Sequence, residues 1–197
     1  MTLETTGTEL ARIVKERRTV HQFESKEVEL SLIQELLDTS VWAPNHRLTQ
    51  PWRFVSVKGE GRSRIAEIAR KNVEKRESDP AKREEIGQKF YKRFMNVPVI
   101  LVVVQKENPN LAVREDDFAA ICCLIQNFSL LAWEQGLGLV WESYPLLTQA
   151  EFRETLGIGP GERAVASLHI GYPAKVPPAQ PRTPASELLT VIDTPSS

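Results

Sequence analysis

Cysteine is scarce in this sequence: 197 residues hold two, adjacent at Cys122 and Cys123. A bridge between neighbours is strained, so no disulfide scaffold is expected, and two buried thiols in a reducing compartment are. No apolar run is long. Pro98–Val104 falls far short of the ~20 residues a membrane-spanning helix needs, so no membrane partner is expected. Charge of one sign is missing as well, since 25 basic residues face 26 acidic ones for a net charge of −1. Without a global field the chain has nothing to draw nucleic acid, and any anion site must come from local clustering. Met1–Gly7 lacks the basic and apolar regions of a secretory signal, and the expectation is a soluble, cytoplasmic protein. Also absent are a Gly-x-Gly-x-x-Gly turn after a strand, a phosphate-loop Gly-Lys-Ser/Thr, Cys or His at metal-ligand spacing, and a nucleophile-elbow serine.

What remains suits one domain over residues 1–197, with a C-terminal extension from about 174, and the 41% of hydrophobic residues suffices for a core. Helical spacing predicts a helix over 8–16, with Leu10, Ile13 and Val14 on one face, and another over about 29–41, closed by Pro44. Phe54–Val57 alternates like a strand and ends in a Gly59-Glu60-Gly61 turn. Residues 62–94 read as charged, mostly helical surface, with Phe90, Tyr91 and Phe94 gathered at the end. Those aromatics either wall a pocket or dock the helix on the core. Pro98–Val104 has the pattern of a strand buried on both faces. Asp116–Gln135 reads as a helix that is apolar nearly all round, with Phe118, Ile121, Ile125, Phe128, Leu131 and Ala132 inward, hence central or at a subunit interface. Leu139–Trp141 is a short strand, Thr148–Glu151 a capping box, and Arg163–Ile170 the last core strand. The tail holds Leu188–Ile192, too apolar to hang free, and is expected to lie on another surface such as a partner subunit. Helices and strands in this order suggest an α+β fold around a central sheet.

Two polar segments stand out against this frame. Arg17-Arg18-Thr19-Val20-His21 puts two permanent cations and a hydroxyl after a predicted helix. Guanidinium groups offer a phosphate charge-assisted donors in fixed geometry, although cations also favour a helix C-terminus for its dipole alone. Ala43–Phe54 carries Asn45, His46, Arg47 and Gln50 in a loop that Pro44 frees from the preceding helix. Gln50 offers donor and acceptor to the edge of a heterocycle, and Trp52 reads as a buried strand residue.

These segments, with Gln50-Pro51-Trp52, Gln135-Gly136-Leu137-Gly138, Trp141-Glu142-Ser143 and Gly171-Tyr172-Pro173 before Arg182, occur in an order that resembles the nitroreductase family of FMN-dependent oxidoreductases. The match is to the small subgroup whose loop reads Ala-Pro-(Asp/Asn)-His-(Arg/Lys). The resemblance implies a nitroreductase-like mixed central sheet flanked by helices, with the C-terminal extension reaching a partner, in a homodimer with FMN sites at the interface. It assigns Arg17, Arg18, Thr19, His21 and Arg182 to the phosphate and ribityl chain. His21 departs from relatives that carry Arg or Lys. It assigns Asn45, His46, Arg47 and Gln50 to a loop that often comes from the neighbouring subunit, and the backbone of Trp141, Glu142 and Ser143 to flavin N5, where many relatives have Glu-Gly. Phe90, Tyr91 and Phe94 become expected walls of the acceptor pocket. Hydride chemistry belongs to the cofactor, so no catalytic side chain and no metal are expected. The implied activity is ping-pong transfer from NADH or NADPH to a small electrophilic acceptor such as a nitroaromatic or quinone. The same scaffold could instead serve reductive dehalogenation or flavin fragmentation, or bind flavin as a sensor without turnover.

Overall fold

A computed structural model describes residues 8–193. At its centre is β2 (Val99–Lys106), whose β-branched residues are buried on both faces up to Gln105. Strand β1 (Trp52–Lys58) pairs with it on one side and β4 (Glu162–Gly171) on the other, and β3 (Gly138–Glu142) pairs with β4. The order is β1-β2-β4-β3 with every named pair antiparallel. The parallel component of the sheet is a bridge at its edge, Thr19 to Leu139.

Alternation along β2 splits the core in two. Val99, Leu101 and Val103 point to a cluster with Ile33, Leu36, Ile121, Ile125 and Phe128, from α2 (Leu30–Ser40) and α5 (Leu111–Glu134). Ile100, Val102 and Val104 point the other way, to Ile65, Ile68, Phe94 and Phe152 of α3 (Gly61–Glu74), α4 (Pro80–Met95) and α6 (Ala150–Thr155). Fully burying one such side chain is worth about 1.5–3 kcal/mol, so a charge at Val103, 0% exposed, would undo the centre of the sheet.

Several sequence expectations shift. α5 begins at Leu111 instead of Asp116, because the Asn110 side chain accepts from Ala112 N and Val113 N and caps the helix there. Phe118, expected inward, is 40% exposed beneath the Arg163 guanidinium. Cys122 is half-buried and Cys123 exposed, so neither is the buried thiol that was expected. Thr148 makes no capping box: its hydroxyl donates to Pro145 O at 2.9 Å within a 3-10 turn, and Gln149 stands at the N-cap of α6. In α1 (Glu9–Glu16), Ile13 is buried while Leu10 and Val14 face solvent. The tail forms a single turn, α7 (Ala185–Leu188), and its Leu188, Leu189, Val191 and Ile192 are exposed on this protomer. Among the described residues no helix is long and apolar enough to cross a membrane, and no His, Cys, Asp and Glu cluster could hold a metal.

Candidate functional site

The first part of the site is assembled where the chain leaves α1. The Arg17 amide closes the helix onto Ile13 O at 2.9 Å, and the chain then runs along the free edge of β3, where Val20 N donates to Leu139 O at 3.0 Å. A Cβ on Gly138 would come within 2.5 Å of Val20 Cγ2, so this approach needs glycine. The strand-end segment after β4 returns alongside, with Glu24 N donating to Tyr172 O at 2.8 Å and Ala174 N to Gln22 O at 2.9 Å. Thr19, His21 and Lys175 thereby line a cleft of about 200 Å³.

Arg17 is half-buried and holds its guanidinium below the usual range, first through burial, then through the charges of Arg18 and Arg182. Three arginines thus crowd one place although Arg182 lies far along the chain. Among the described residues none of the three has a carboxylate partner. Arg18 donates only to Lys15 O and Arg17 O, and Arg182 to Gln180 O and Pro181 O. Like charges gathered without a counterion are costly, and a dianionic phosphate would relieve that cost through charge-assisted hydrogen bonds. The donor set fits the phosphate end of FMN.

The second part is the 45–50 loop, which includes a 3-10 turn at His46–Leu48. Arg47, Leu48 and Gln50 all have positive φ, at 56°, 51° and 42°. Left-handed backbone in non-glycine residues costs roughly 1–2 kcal/mol each. Three hydrogen bonds hold it. Asn45 donates to Ala43 O at 3.2 Å and accepts from Gln50 N at 3.1 Å, while the Thr49 hydroxyl donates to Asp117 Oδ1 of α5 at 2.6 Å. Asn45, expected to touch cofactor, spends its amide closing the loop. His46, Arg47 and Gln50 are exposed.

The third part is the end of β3. Trp141 pairs with Leu168 and is 39% exposed, Glu142 pairs with Ser167, and Ser143 lies one residue beyond the ladder. The Glu142 carboxylate forms an ion pair with Arg93 of α4, so what it offers a cofactor is its backbone. Phe90 and Tyr91 are half-buried on the same helix. Phe94 is 1% exposed and lies edge-on to His169 with ring centroids 5.0 Å apart. It is a core residue and cannot wall a pocket as expected. Burial, with Arg93 and His21 nearby, pushes His169 down to about 3, so its ring is neutral. Burial raises the Tyr144 phenol, whose oxygen lies 3.3 Å from His169 Nε2. Sequence pattern does not single out Arg93, although it sits three residues after Phe90 and so shares its helix face.

The structure brings Arg17, Arg18, Thr19 and His21 to the β3 edge, with Arg182 near enough for its charge to act on Arg17, and separates them from the loop. Thr19 lies outside β3 and the loop leads into β1, four strand spacings away, about 19 Å. Thr19 also aligns, through Leu139, Ile170 and Val99, with Lys58, six residues along β1 from Trp52, about 20 Å. The two parts occupy diagonal corners of one sheet. A larger cavity, about 530 Å³, opens among Phe23, Glu27, Arg62 and Asn96 and includes residues of neither part.

Comparison with known proteins places this arrangement. The chain is 38% identical over 182 residues to a Bacillus subtilis protein named putative NAD(P)H nitroreductase YfhC, covering 92% of this chain and 93% of that one. It is 26% identical to the iodotyrosine deiodinase of Hydra vulgaris, over 90% of this chain and 70% of the relative. The crystal structure of a nitroreductase-like family protein from Bacillus cereus superposes with a TM-score of 0.85 at 39% identity, over 98% of this chain and all of that one. The family model of the nitroreductases matches residues 14–172, a span that takes in the arginine pair, the strained loop and the whole sheet. The chain belongs to the nitroreductase family of FMN-dependent oxidoreductases.

Proposed function

We propose that two copies of this chain form a homodimer in the cytoplasm with FMN at the seam. Arg17, Arg18 and Arg182 of one copy, with Thr19 and His21, would hold the phosphate and ribityl chain. The 45–50 loop of the other would bring His46, Arg47 and Gln50. The observation that carries this reading is the diagonal separation: a cationic cradle with no carboxylate partner among the described residues and the polar loop are both present, yet too far apart to serve one cofactor within one chain. The small volume of the cradle cleft agrees, since ligand sites usually reach about 300–1,000 Å³.

A surface to join the copies is available. Leu10, Val14, Leu30, Leu111 and Phe118, together with Trp42 at 87% exposure and Leu48 in the loop, are exposed on or beside the α1, α2 and α5 layer. Joined into one patch, these side chains would serve as an association face. The exposed tail would extend it.

Bound FMN supplies hydride acceptance and release; the chain's work is binding, orientation and exclusion of water. NADH or NADPH and a small electrophilic acceptor, such as a nitroaromatic or quinone, would use one slot in turn, giving ping-pong kinetics. The backbone of Trp141–Ser143 would orient the ring, and Phe90 and Tyr91 would line the slot. The test is a visible spectrum of the purified protein followed by stopped-flow mixing with each nicotinamide. A flavin band that bleaches rapidly is expected; colourless protein after FMN addition, with no nicotinamide oxidation, overturns the reading. Similarity to an iodotyrosine deiodinase favours reductive dehalogenation as a second reading, and halide release from an iodinated phenol during turnover would separate it from nitro or quinone reduction.

A further inference from the structure

At the carboxyl end of β3 a cluster of polar groups gathers beneath α4, and the proposed function leaves it unexplained. Arg93, in the last turn of α4, donates to Glu142 Oε1. The Glu142 side chain is only 15% exposed, and Arg93 is its ion-pair partner among the described residues. Arg93 is near enough for its charge to act on both Tyr144 and His169, and its guanidinium lies 6.0 Å from the Phe90 ring centroid. Directly across the ladder from Glu142 stands Ser167, whose buried Oγ has no hydrogen-bond partner.

The ion pair ties the helix carrying Phe90 and Tyr91 to the strand end that continues into Ser143, beside the packing of Phe94 against Tyr144 and His169. A half-buried pair of this kind is felt mainly when one member is removed, because the other keeps its charge away from water.

We infer that Arg93 is a positioning residue for the reaction, acting through Glu142 to fix the strand end at Ser143 against the α4 wall and to hold the local charge at zero. The inference rests on the proposed FMN site, with the Trp141–Ser143 backbone beside the ring. It assigns two duties to one contact. Spacing between the acceptor wall and the strand end is set by the Arg93–Glu142 pair together with the packing of Phe94 on Tyr144. The field at that end is set by the cancellation of the two charges.

The second duty gives a test with a sign. Arg93→Ala leaves a carboxylate alone near the ring and should make bound flavin harder to reduce. Glu142→Gln leaves a guanidinium alone and should make it easier. The measurement is the midpoint potential of the bound flavin in the full dimer, by dye-coupled anaerobic titration. Shifts of opposite direction in the single variants, with the Arg93→Ala/Glu142→Gln double variant back near the parent, are expected. In steady-state assays Arg93→Ala should raise the acceptor KM by roughly tenfold, and Arg93→Lys should restore most of the potential and less of the KM, since an ammonium keeps the charge but not the fork.

Shifts of the same direction, or none, in protein that still binds flavin and is reduced by NAD(P)H overturn the inference and leave the cofactor reading standing. Parent protein that binds no flavin overturns both. Should Arg93→Ala not fold, Glu142→Gln and Arg93→Lys decide the matter in its place: a potential unmoved by Glu142→Gln is fatal to the inference.

Discussion

The arginine cradle and the 45–50 loop are the two polar features of this chain, and they are built in opposite ways. The cradle has ordinary backbone and crowded charge: Arg17, Arg18 and Arg182 converge without a carboxylate among the described residues. The loop has strained backbone and little charge, with three left-handed residues kept in place by Asn45 and by the Thr49–Asp117 bond. One holds electrostatic strain that a ligand can release. The other holds conformational strain that the fold itself sustains. Features so different at diagonal corners of a sheet are, on the proposed reading, two halves of one site completed between two copies of the chain.

The largest effect should come from mixing. Arg17→Ala protein and His46→Ala/Arg47→Ala protein are each expected to lose bound flavin, yet a refolded mixture should regain it, since one seam of the heterodimer then keeps an intact cradle and an intact loop. No recovery would show that the two segments do not complement across subunits. Arg17→Ala alone should weaken FMN binding by about 1.5–3 kcal/mol, the worth of a hydrogen bond to a charged group, with thermal stability little changed. A fluorescence titration beside a melting curve reads both, and unaltered affinity would remove Arg17 from the phosphate site.

Next comes Thr49→Val, which leaves the buried Asp117 carboxylate without its hydroxyl donor. A loss of about 1–3 kcal/mol is expected in chemical denaturation, and a silent variant would mean that the loop does not depend on that bond. His169 gives an effect from pH that is comparable over the first two units of acidification below 6.5 and grows beyond them. Its folded pKa, about 3, lies below the ordinary value of 6.5, so the unfolded chain takes up its proton first. The stability this histidine permits is complete above pH 6.5 and is lost as pH falls toward 3, by about 1.4 kcal/mol per unit. His169→Phe should flatten that acid limb; an unchanged slope below pH 6 would contradict the buried neutral ring. The smallest effect is His21→Arg, which restores a permanent cation to the cradle rim and should tighten FMN by about 0.2–1 kcal/mol in low salt, fading in high salt.

Much of the fold is legible along the chain because burial on both faces leaves a pattern. Pro98–Val104 carries the signature of a strand buried on both faces, and the spacing over about 29–41 that of a packed helix, and both elements are present within a residue or two of those bounds. The arginine pair was legible too, as cations stacked after a helix. What could not be read depends on residues meeting from afar. Nothing near Arg182 says that the tail brings its charge within reach of Arg17. Nothing near Glu142 says that Arg93 waits 49 residues upstream. Thr148 reads as a capping residue in isolation, and only the 3-10 turn from Pro145 claims its hydroxyl. Phe90 and Phe94 fall on one helix face by spacing, but depth along that face decides that Phe94 is core and Phe90 is rim.

Arg47 draws out one more consequence. Its backbone sits at a φ of 56°, where a glycine would rest without penalty and an arginine gives up roughly 1–2 kcal/mol. Arg47→Gly would therefore be a stabilising change in the isolated chain and would delete the exposed guanidinium. The chain is less stable than it could be at this position, and the exposed guanidinium that accompanies the strained backbone is the group the proposed site would use.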